Sequence, residues 1–246
     1  MIFKLFKSKP ILKEIIPKGF IDIHSHILPE IDDGAKNIAE SIKLIEEMER
    51  MGFNKIIATP HTYPGLYDNT NLTIEKSFHN LISAYKGDVI INYSSEYMID
   101  DLIISSIYKN SLIPIKNKYI LIEIPFLFEP PNLYKIIFEL QTNGFTPILA
   151  HPERYRFWHN DLSKFEELKK IGCKLQLNLL SAVGIYGKNI TKFTDVLLEK
   201  NFIDFVGSDI HNLIHCKFFD KKLKIKNIDK LKSAIQNNNY FEWYVI

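Results

Sequence analysis

Seven short apolar runs, most of them separated from the next by a stretch with helical character, constrain this chain more than any other feature. The runs end near His24, Ala58, Ser95, Glu123, His151, Asn178 and Ser208. Between most of them lie amphipathic stretches. Ala39 to Met51 sets Ile42, Ile45, Met48 and Met51 on one face, and others run from Asn132 to Thr142, Leu162 to Ile171 and Ile190 to Lys200. Gly52, Gly144 and Gly172 stand where a helix should stop and the next strand begin. Such alternation, with no Pro/Gly/Ser-rich linker and no repeat, predicts an α/β chain closed into one (β/α) barrel of about seven units. The expected organisation is an N-terminal arm over residues 1–18, lying on the surface, and a single domain over residues 19–246. Lys217 to Asn239, rich in lysine and asparagine, reads as a solvated helix or loop without a motif.

Composition excludes more than it selects. Hydrophobic residues make up 46% and charged residues 24% of 246, the balance of a soluble enzyme and not of a disordered chain. A formal net charge of +2 decides nothing about partners, and no basic stripe interleaved with aromatics points to nucleic acid. The apolar pieces between the five lysines of Met1 to Lys18 are too short for a signal peptide or a membrane span. A cytoplasmic protein that is not integral to a membrane is therefore expected. Cys173 and Cys216 are the only cysteines, far apart and in no CxxC arrangement, which suits a reducing compartment. Six residues after each stand Leu179 and Lys222, not the arginine of a cysteine-phosphatase loop, which argues against a thiol nucleophile.

The chemistry lies at the ends of the runs. The first ends in Asp22-Ile-His24-Ser-His26, where strand alternation puts both imidazoles on one side to grip one cation, and Asp33 follows in the loop. The second brings His61 through Ala58-Thr-Pro-His61, the third Glu96, the fourth Glu123 and the fifth His151. The last brings Asp209 and His211 in Val206-Gly-Ser-Asp209-Ile-His211. Only the sixth run carries no obvious ligand; its polar residue is Asn178. Any one of these residues has an innocent reading as a turn residue or a helix cap. Five of eight histidines at strand ends do not, because catalytic residues of a barrel gather at that end. His79, His159 and His215 fall in helical or loop context and receive no metal role. Nine such groups exceed the needs of one ion and imply two or three divalent cations. Without a thiolate among them, manganese, zinc, iron and magnesium all fit.

The segments DIHSHILPEIDDGA, IIATPHTYPG, ILAHPERY and VGSDIHN resemble the motifs of the PHP (polymerase and histidinol phosphatase) superfamily. Within it they are most similar to bacterial manganese-dependent protein tyrosine phosphatases that regulate capsule and exopolysaccharide synthesis. The resemblance covers roughly Phe20 to Asn212. It implies a distorted (β/α)7 barrel, three divalent ions with manganese foremost, and a phosphotyrosine protein as substrate, a tyrosine kinase of polysaccharide export. Carried over by motif, His24, His26, Glu96 and Asp209 hold the first ion. Glu96, Glu123 and His151 hold the second, and Asp33, His61 and His211 the third. Arg154 matches the phosphate-binding arginine, and His211 or a water serves as general acid. Cations held by these residues would make a water acidic enough to act as the nucleophile toward phosphorus, so no protein nucleophile is expected. Tyr63, Tyr67, Phe126, Phe128, Tyr155 and Phe157 are candidates to wall a tyrosine ring. One departure is visible: the related pattern SDAHNxxxR ends in arginine, whereas Cys216 stands there, between His215 and Lys217. The alternatives are a PHP-type phosphatase of a small phosphomonoester such as histidinol phosphate, and a catalytically weak barrel that binds phosphopeptides.

Overall fold

Nine parallel strands among the described residues form two sheets, and two of the interruptions between them explain why the sequence shows seven runs. In a computed structural model that describes residues 8–242, the strands are β1 (Phe20–Ser25), β2 (Phe53–Ala58), β3 (His61–Thr62), β4 (Ile90–Tyr93), β5 (Glu96–Met98), β6 (Tyr119–Glu123), β7 (Thr146–Ala150), β8 (Lys174–Asn178) and β9 (Phe205–Gly207). They pair in the orders β1-β2-β4 and β3-β5-β6-β7-β8-β9. β3 continues β2 after Thr59-Pro60, and β5 continues β4 after Ser94-Ser95. Proline has no N–H for the ladder, so pairing must break at Pro60. The breaks are stitched by Ser94 N–H to Ala58 O (2.8 Å), Glu96 N–H to Pro60 O (3.0 Å) and Ser95 Oγ to Pro60 O (2.8 Å). Nine segments thus make seven staves.

The last stave returns to the first. Ser25 bridges Ile210 in parallel, His26 N–H donates to Ile210 O (2.9 Å), and Asp209 N–H donates to His24 O (2.8 Å). The barrel is closed, as expected. Its helices are α1 (Ile38–Arg50), α2 (Asn71–Ala84), α3 (Asp101–Tyr108), α4 (Leu133–Thr142), α5 (Ser163–Lys170), α6 (Lys188–Glu199), α7 (Leu213–Phe218) and α8 (Ile228–Asn237). The Asn37 side chain caps α1 by accepting from Glu40 N–H (2.9 Å), and Asp100 caps α3 from Leu102 and Ile103. α1 buries Ser41, Leu44, Ile45 and Met48, so its inner face is turned slightly from the expected one and Ile42 and Met51 lie at its margin. Gly52, Gly144 and Gly172 have φ of 101°, 85° and 87°, the left-handed stop that glycine takes without cost. No helix among the described residues is long and apolar enough to cross a membrane.

The lysine- and asparagine-rich tail differs from expectation. Leu231, Ala234 and Ile235 of α8 are buried, and Asn238 behind it is wholly enclosed. Its Nδ2 donates to Ile21 O (2.9 Å) and Val206 O (2.8 Å), and its Oδ1 accepts from Val206 N–H (3.0 Å). It therefore serves β1 and β9 at the seam where their own pairing begins only at Ser25. Phe241 follows into a buried cluster with Ile21, Ile23, Ile57, Leu121, Ile148, Ala150 and Phe205. A polar composition concealed this role because the contacts are made by one amide and a few spaced apolar residues. Of the expected arm, Leu12 and Ile15 are buried, and Leu12 N–H donates to Lys221 O (3.0 Å); residues 1–7 lie outside the described residues.

Asn238→Ala should lower the unfolding free energy by about 2–4 kcal/mol, since three buried backbone groups lose their partner. Urea denaturation checks this.

Candidate metal centre

The histidine and carboxylate side chains from the strand ends meet above the apolar interior. His24 and His26 leave β1 with their Nδ1 atoms already engaged. His24 Nδ1 lies 2.9 Å from Gln176 Oε1, and that amide is oriented by its own Nε2 donating to Leu177 O (2.7 Å). His26 Nδ1 lies 2.7 Å from Asp32 Oδ2. Both Nδ1 atoms must therefore donate, which leaves the Nε2 lone pairs turned inward, the arrangement that outer partners impose on metal-binding imidazoles. The two Nε2 atoms are 3.2 Å apart; Glu96 Oε2 lies 3.2 and 3.5 Å from them, and Asp209 Oδ1 3.3 and 3.4 Å. The two Nε2 atoms outline, with either carboxylate oxygen, a triangle of 3.2–3.5 Å edges, the spacing taken by ligands that lie about 2 Å from one divalent ion.

Two further groups adjoin the first. His61 Nδ1 lies 2.8 Å from Glu123 Oε1 and 3.1 Å from Glu96 Oε2. On its other side, His61 Nε2 lies 3.5 Å from Asp33 Oδ1, which is also 3.5 Å from His211 Nε2. His211 Nδ1 donates to Asp209 O (2.9 Å), so its Nε2 too is a lone-pair nitrogen. His151 Nε2 lies 3.0 Å from Glu96 Oε1. Ligand atoms within reach of one ion fall into four overlapping sets: His24–His26–Glu96, His24–His151–Asp209, His61–Glu96–Glu123, and His26–Asp33–His61–His211. All nine sequence-chosen ligands are thus brought together. The grouping differs from the carried-over one: Asp209 and His151 fall together with His24, His61 joins Glu96 and Glu123, and His26 joins Asp33, His61 and His211.

The pattern of orphaned atoms fits a cation. Among the described residues, five buried side-chain nitrogens or oxygens have no hydrogen-bond partner, and four are His61 Nδ1, Glu96 Oε2, Glu123 Oε1 and His151 Nδ1. Buried polar atoms are otherwise paired almost without exception. Two carboxylate oxygens facing one imidazole nitrogen share at most a single proton, whereas one divalent ion satisfies all three.

Electrostatics agree. Burial alone would push the Glu96 carboxyl up, but His24, His61 and the His151 hydrogen bond hold it well below the ordinary range. Asp209 behaves alike: burial opposes ionisation, and His24 and His211 overcome it. His61 is lowered by burial and by His26 yet carried to about 10 by Glu96 and Glu123. Protons here stand in for cations, and cation binding would expel them.

Backbone geometry holds the side chains over the mouth. His151 and Asp209 have φ of 36° and 51°, left-handed values that are rare outside glycine and recur at functional sites. Gly207 admits no side chain, because a Cβ would lie 2.4 Å from Gln176 Nε2 and 2.6 Å from His24 Cβ. Glu96 is not a residue past the third strand but the first of β5, after the Ser94-Ser95 break turns the stave inward.

A cavity of about 310 Å³ opens onto this cluster, lined by Asp33, His61, Glu123, Phe126, His151, Arg154, Tyr186, Asp209, His211, Asn212 and His215. Clefts of about 410 and 460 Å³ elsewhere gather no such chemistry. Arg154 Nη1 donates to Asp209 Oδ2 (3.0 Å). Of the expected aromatic walls, Phe126 lines the cavity and Tyr67 stacks on His61 (5.6 Å, 12°). Tyr155 is wholly buried with its hydroxyl accepting from Ile124 N–H, Phe157 packs on the core, and Tyr63 and Phe128 do not line the cavity. Cys216 is buried against α1, facing Glu47 and Arg50 and away from the cavity, while His215 beside it lines the cavity. His215 Nδ1 is engaged with Asp209 O (3.2 Å), and it belongs to none of the four ligand sets. Sequence reasoning passed over Asp32, Gln176, Glu153 and Tyr186, and noted Asn178 without giving it a role. Asp32 was within reach, being an acid six residues after a histidine whose second nitrogen needs a partner.

A barrel of seven parallel staves with a histidine–carboxylate cluster at its C-terminal mouth defines a protein of the PHP and amidohydrolase-like architecture. More narrowly, the chain belongs to the family of capsular polysaccharide synthesis proteins CpsB/CapC, whose pattern it matches over residues 20–218. It is 36% identical over 197 residues to the tyrosine-protein phosphatase YwqE of Bacillus subtilis (strain 168), covering 78% of each chain. It is 32% identical over 227 residues to the putative tyrosine-protein phosphatase CapC of Staphylococcus aureus, covering 88% of this chain and 89% of that one. Among solved structures it superposes with a TM-score of 0.73 and 32% identity on a chain from the crystal structures of Bacillus subtilis YwqE and Streptococcus pneumoniae CpsB, described as unique metal-dependent tyrosine phosphatases, covering 90% of this chain and 85% of that one.

Glu153 gives a pH signature. Burial pushes its carboxyl up to about 7, against hydrogen bonds from Ser181 and Asn178. The unfolded chain ionises near the ordinary 4.5, so the folded state holds the extra proton between these values and loses stability as pH rises from 4.5 to 7. Glu153→Gln should abolish that slope, gaining up to roughly 3 kcal/mol on the parent at pH 8 relative to pH 4.5. Urea unfolding at the two pH values measures it.

Proposed function

We propose that this chain is a metal-dependent protein tyrosine phosphatase. His24, His26, Asp33, His61, Glu96, Glu123, His151, Asp209 and His211 serve as ligands of up to three divalent cations, manganese foremost. The observation that carries the reading is the pair of inward atoms His24 Nε2 and His26 Nε2, with Glu96 Oε2 and Asp209 Oδ1 each 3.2–3.5 Å from both, and a guanidinium bonded to that same Asp209. Three features of the relatives support it: the family, the tyrosine-phosphatase names of YwqE and CapC, and the TM-score of 0.73.

Cations bound there would acidify water and draw charge from the phosphoryl oxygens. The chain's own groups supply the rest. Arg154 spends one N–H on Asp209 Oδ2 and has the remaining edge of its fork for two phosphoryl oxygens. Asp209 is shared, with Oδ1 toward His24 and His26 and Oδ2 toward Arg154, so it ties the phosphoryl contact to the ligand cluster. His211 cannot be ligand and general acid at once. Its Nδ1 proton is committed to Asp209 O, and an Nε2 that holds a cation carries no proton. The ligand role is therefore assigned to His211, which leaves proton donation to the other candidate, a water. A phenol with an ordinary pKa near ~10 departs with little proton assistance, unlike an alkyl alcohol, and this suits phosphotyrosine. The physiological partner would be a phosphotyrosine protein, a bacterial tyrosine kinase of polysaccharide export, met in the cytoplasm.

Phosphate release from a phosphotyrosine peptide, with chelated protein resupplied with manganese, should be restored by the metal and fall at least about a hundredfold in His151→Ala. Turnover that survives chelation, or histidinol phosphate outrunning the peptide in kcat/KM, overturns the reading. Glu96→Gln should also lose at least about one bound ion per chain by elemental analysis, since Glu96 bridges two of the ligand sets.

A further inference from the structure

β8 is the strand without an expected ligand, yet it ends in a wholly buried side chain, Asn178. Asn178 Oδ1 accepts from Leu180 N–H (2.8 Å), which fixes which end of the amide is nitrogen. Its Nδ2 then donates twice, to Asp209 Oδ2 (2.6 Å) and to the Tyr186 hydroxyl (2.9 Å). Its backbone N–H donates to Glu153 Oε1 (3.1 Å), the oxygen that also accepts from Ser181 Oγ (2.6 Å). Every polar group of Asn178 that bears on the site is therefore committed, and Tyr186 is held at a set distance from Asp209.

Tyr186 in turn meets Arg154. The guanidinium carbon lies 4.3 Å from the centroid of the Tyr186 ring and 4.4 Å from that of Phe126. A planar cation between two aromatic faces is attracted to both and loses the freedom to rotate out of their common orientation. The Asp209 bond fixes its angle within the plane. Of five N–H donors, one is spent among the described residues, and the remaining edge is presented to the cavity.

We propose that Tyr186 is a positioning residue for phosphoryl binding. With Phe126 it clamps Arg154 edge-on to the cavity, and Asn178 sets the clamp against Asp209. The inference rests on the phosphatase reading above and extends it to residues outside the ligand set. It bears on the departure at position 216: the buried Cys216 offers no second guanidinium, so recognition of the phosphoryl group falls to one arginine. Holding that arginine in its binding orientation beforehand lowers the ordering cost at the moment of binding.

The test uses the full chain loaded with manganese, in the parent, Tyr186→Phe, Tyr186→Leu and Phe126→Leu forms. Two readouts are taken: calorimetric binding of inorganic phosphate, which needs no turnover, and the KM and kcat for a phosphotyrosine peptide. Tyr186→Leu removes the ring and should weaken phosphate binding and raise KM roughly tenfold, with kcat within about threefold and metal content unchanged. Tyr186→Phe keeps the ring but loses the Asn178 bond, and should fall between the parent and Tyr186→Leu in both. Phe126→Leu should resemble Tyr186→Leu. Unaltered phosphate affinity in Tyr186→Leu overturns the proposal. So does a parallel loss of kcat and bound metal, which would make Tyr186 a support of the ligand cluster only. A parent that binds phosphate but hydrolyses no phosphopeptide defeats the phosphatase reading alone, and the clamp is then judged on phosphate affinity.

Discussion

Glu96 puts a carboxylate with no exposed surface among four imidazoles, and much of the molecule is arranged to keep it there. Its Oε2 lies 3.1–3.5 Å from nitrogens of His24, His26 and His61, and its Oε1 lies 3.0 Å from His151. An ionised carboxylate in such a place is tolerable only if positive charge surrounds it, since burying it unpaired costs several kcal/mol or more. Glu123, Asp33 and Asp209 stand nearby, so four carboxylates gather where one arginine is present. That surplus of carboxylates suits the site to cations.

Keeping the cluster in register requires an irregular barrel. A smooth β4 would send Glu96 along the stave with its neighbours. The break at Ser94-Ser95, matched by the break at Thr59-Pro60 on the adjacent stave, lets His61 and Glu96 restart as a paired unit, His61 opposite Glu96 in register. Strained residues do comparable work on the other side, where His151 and Asp209 turn back over the mouth at positive φ. The regular parts of the fold, by contrast, hold the staves together from below, through the buried interior and the Asn238 seam.

Asp209 connects the two halves of the chemistry. One oxygen belongs with His24 and His26; the other accepts from both Arg154 and Asn178. Charge on the ligand cluster and the orientation of the guanidinium are thereby coupled through a single carboxylate. The aromatic faces of Tyr186 and Phe126 add a constraint that carries no charge and so does not disturb that balance.

The sequence by itself determined the seven-stave barrel and the nine ligand candidates, because both are written in local patterns. Apolar runs separated by amphipathic helices specify the staves, and a histidine or acid just past an apolar run is carried to the mouth by strand geometry alone. The residues that aim those ligands were decided only in three dimensions. Gln176 sits 152 positions from the His24 it orients, Asn178 31 from Asp209, and Asn238 217 from Ile21. An amide in a strand or a tail has no periodicity to betray it. Its partner is chosen by which staves become neighbours when the barrel closes, and by which buried donor or acceptor would otherwise go unpaired.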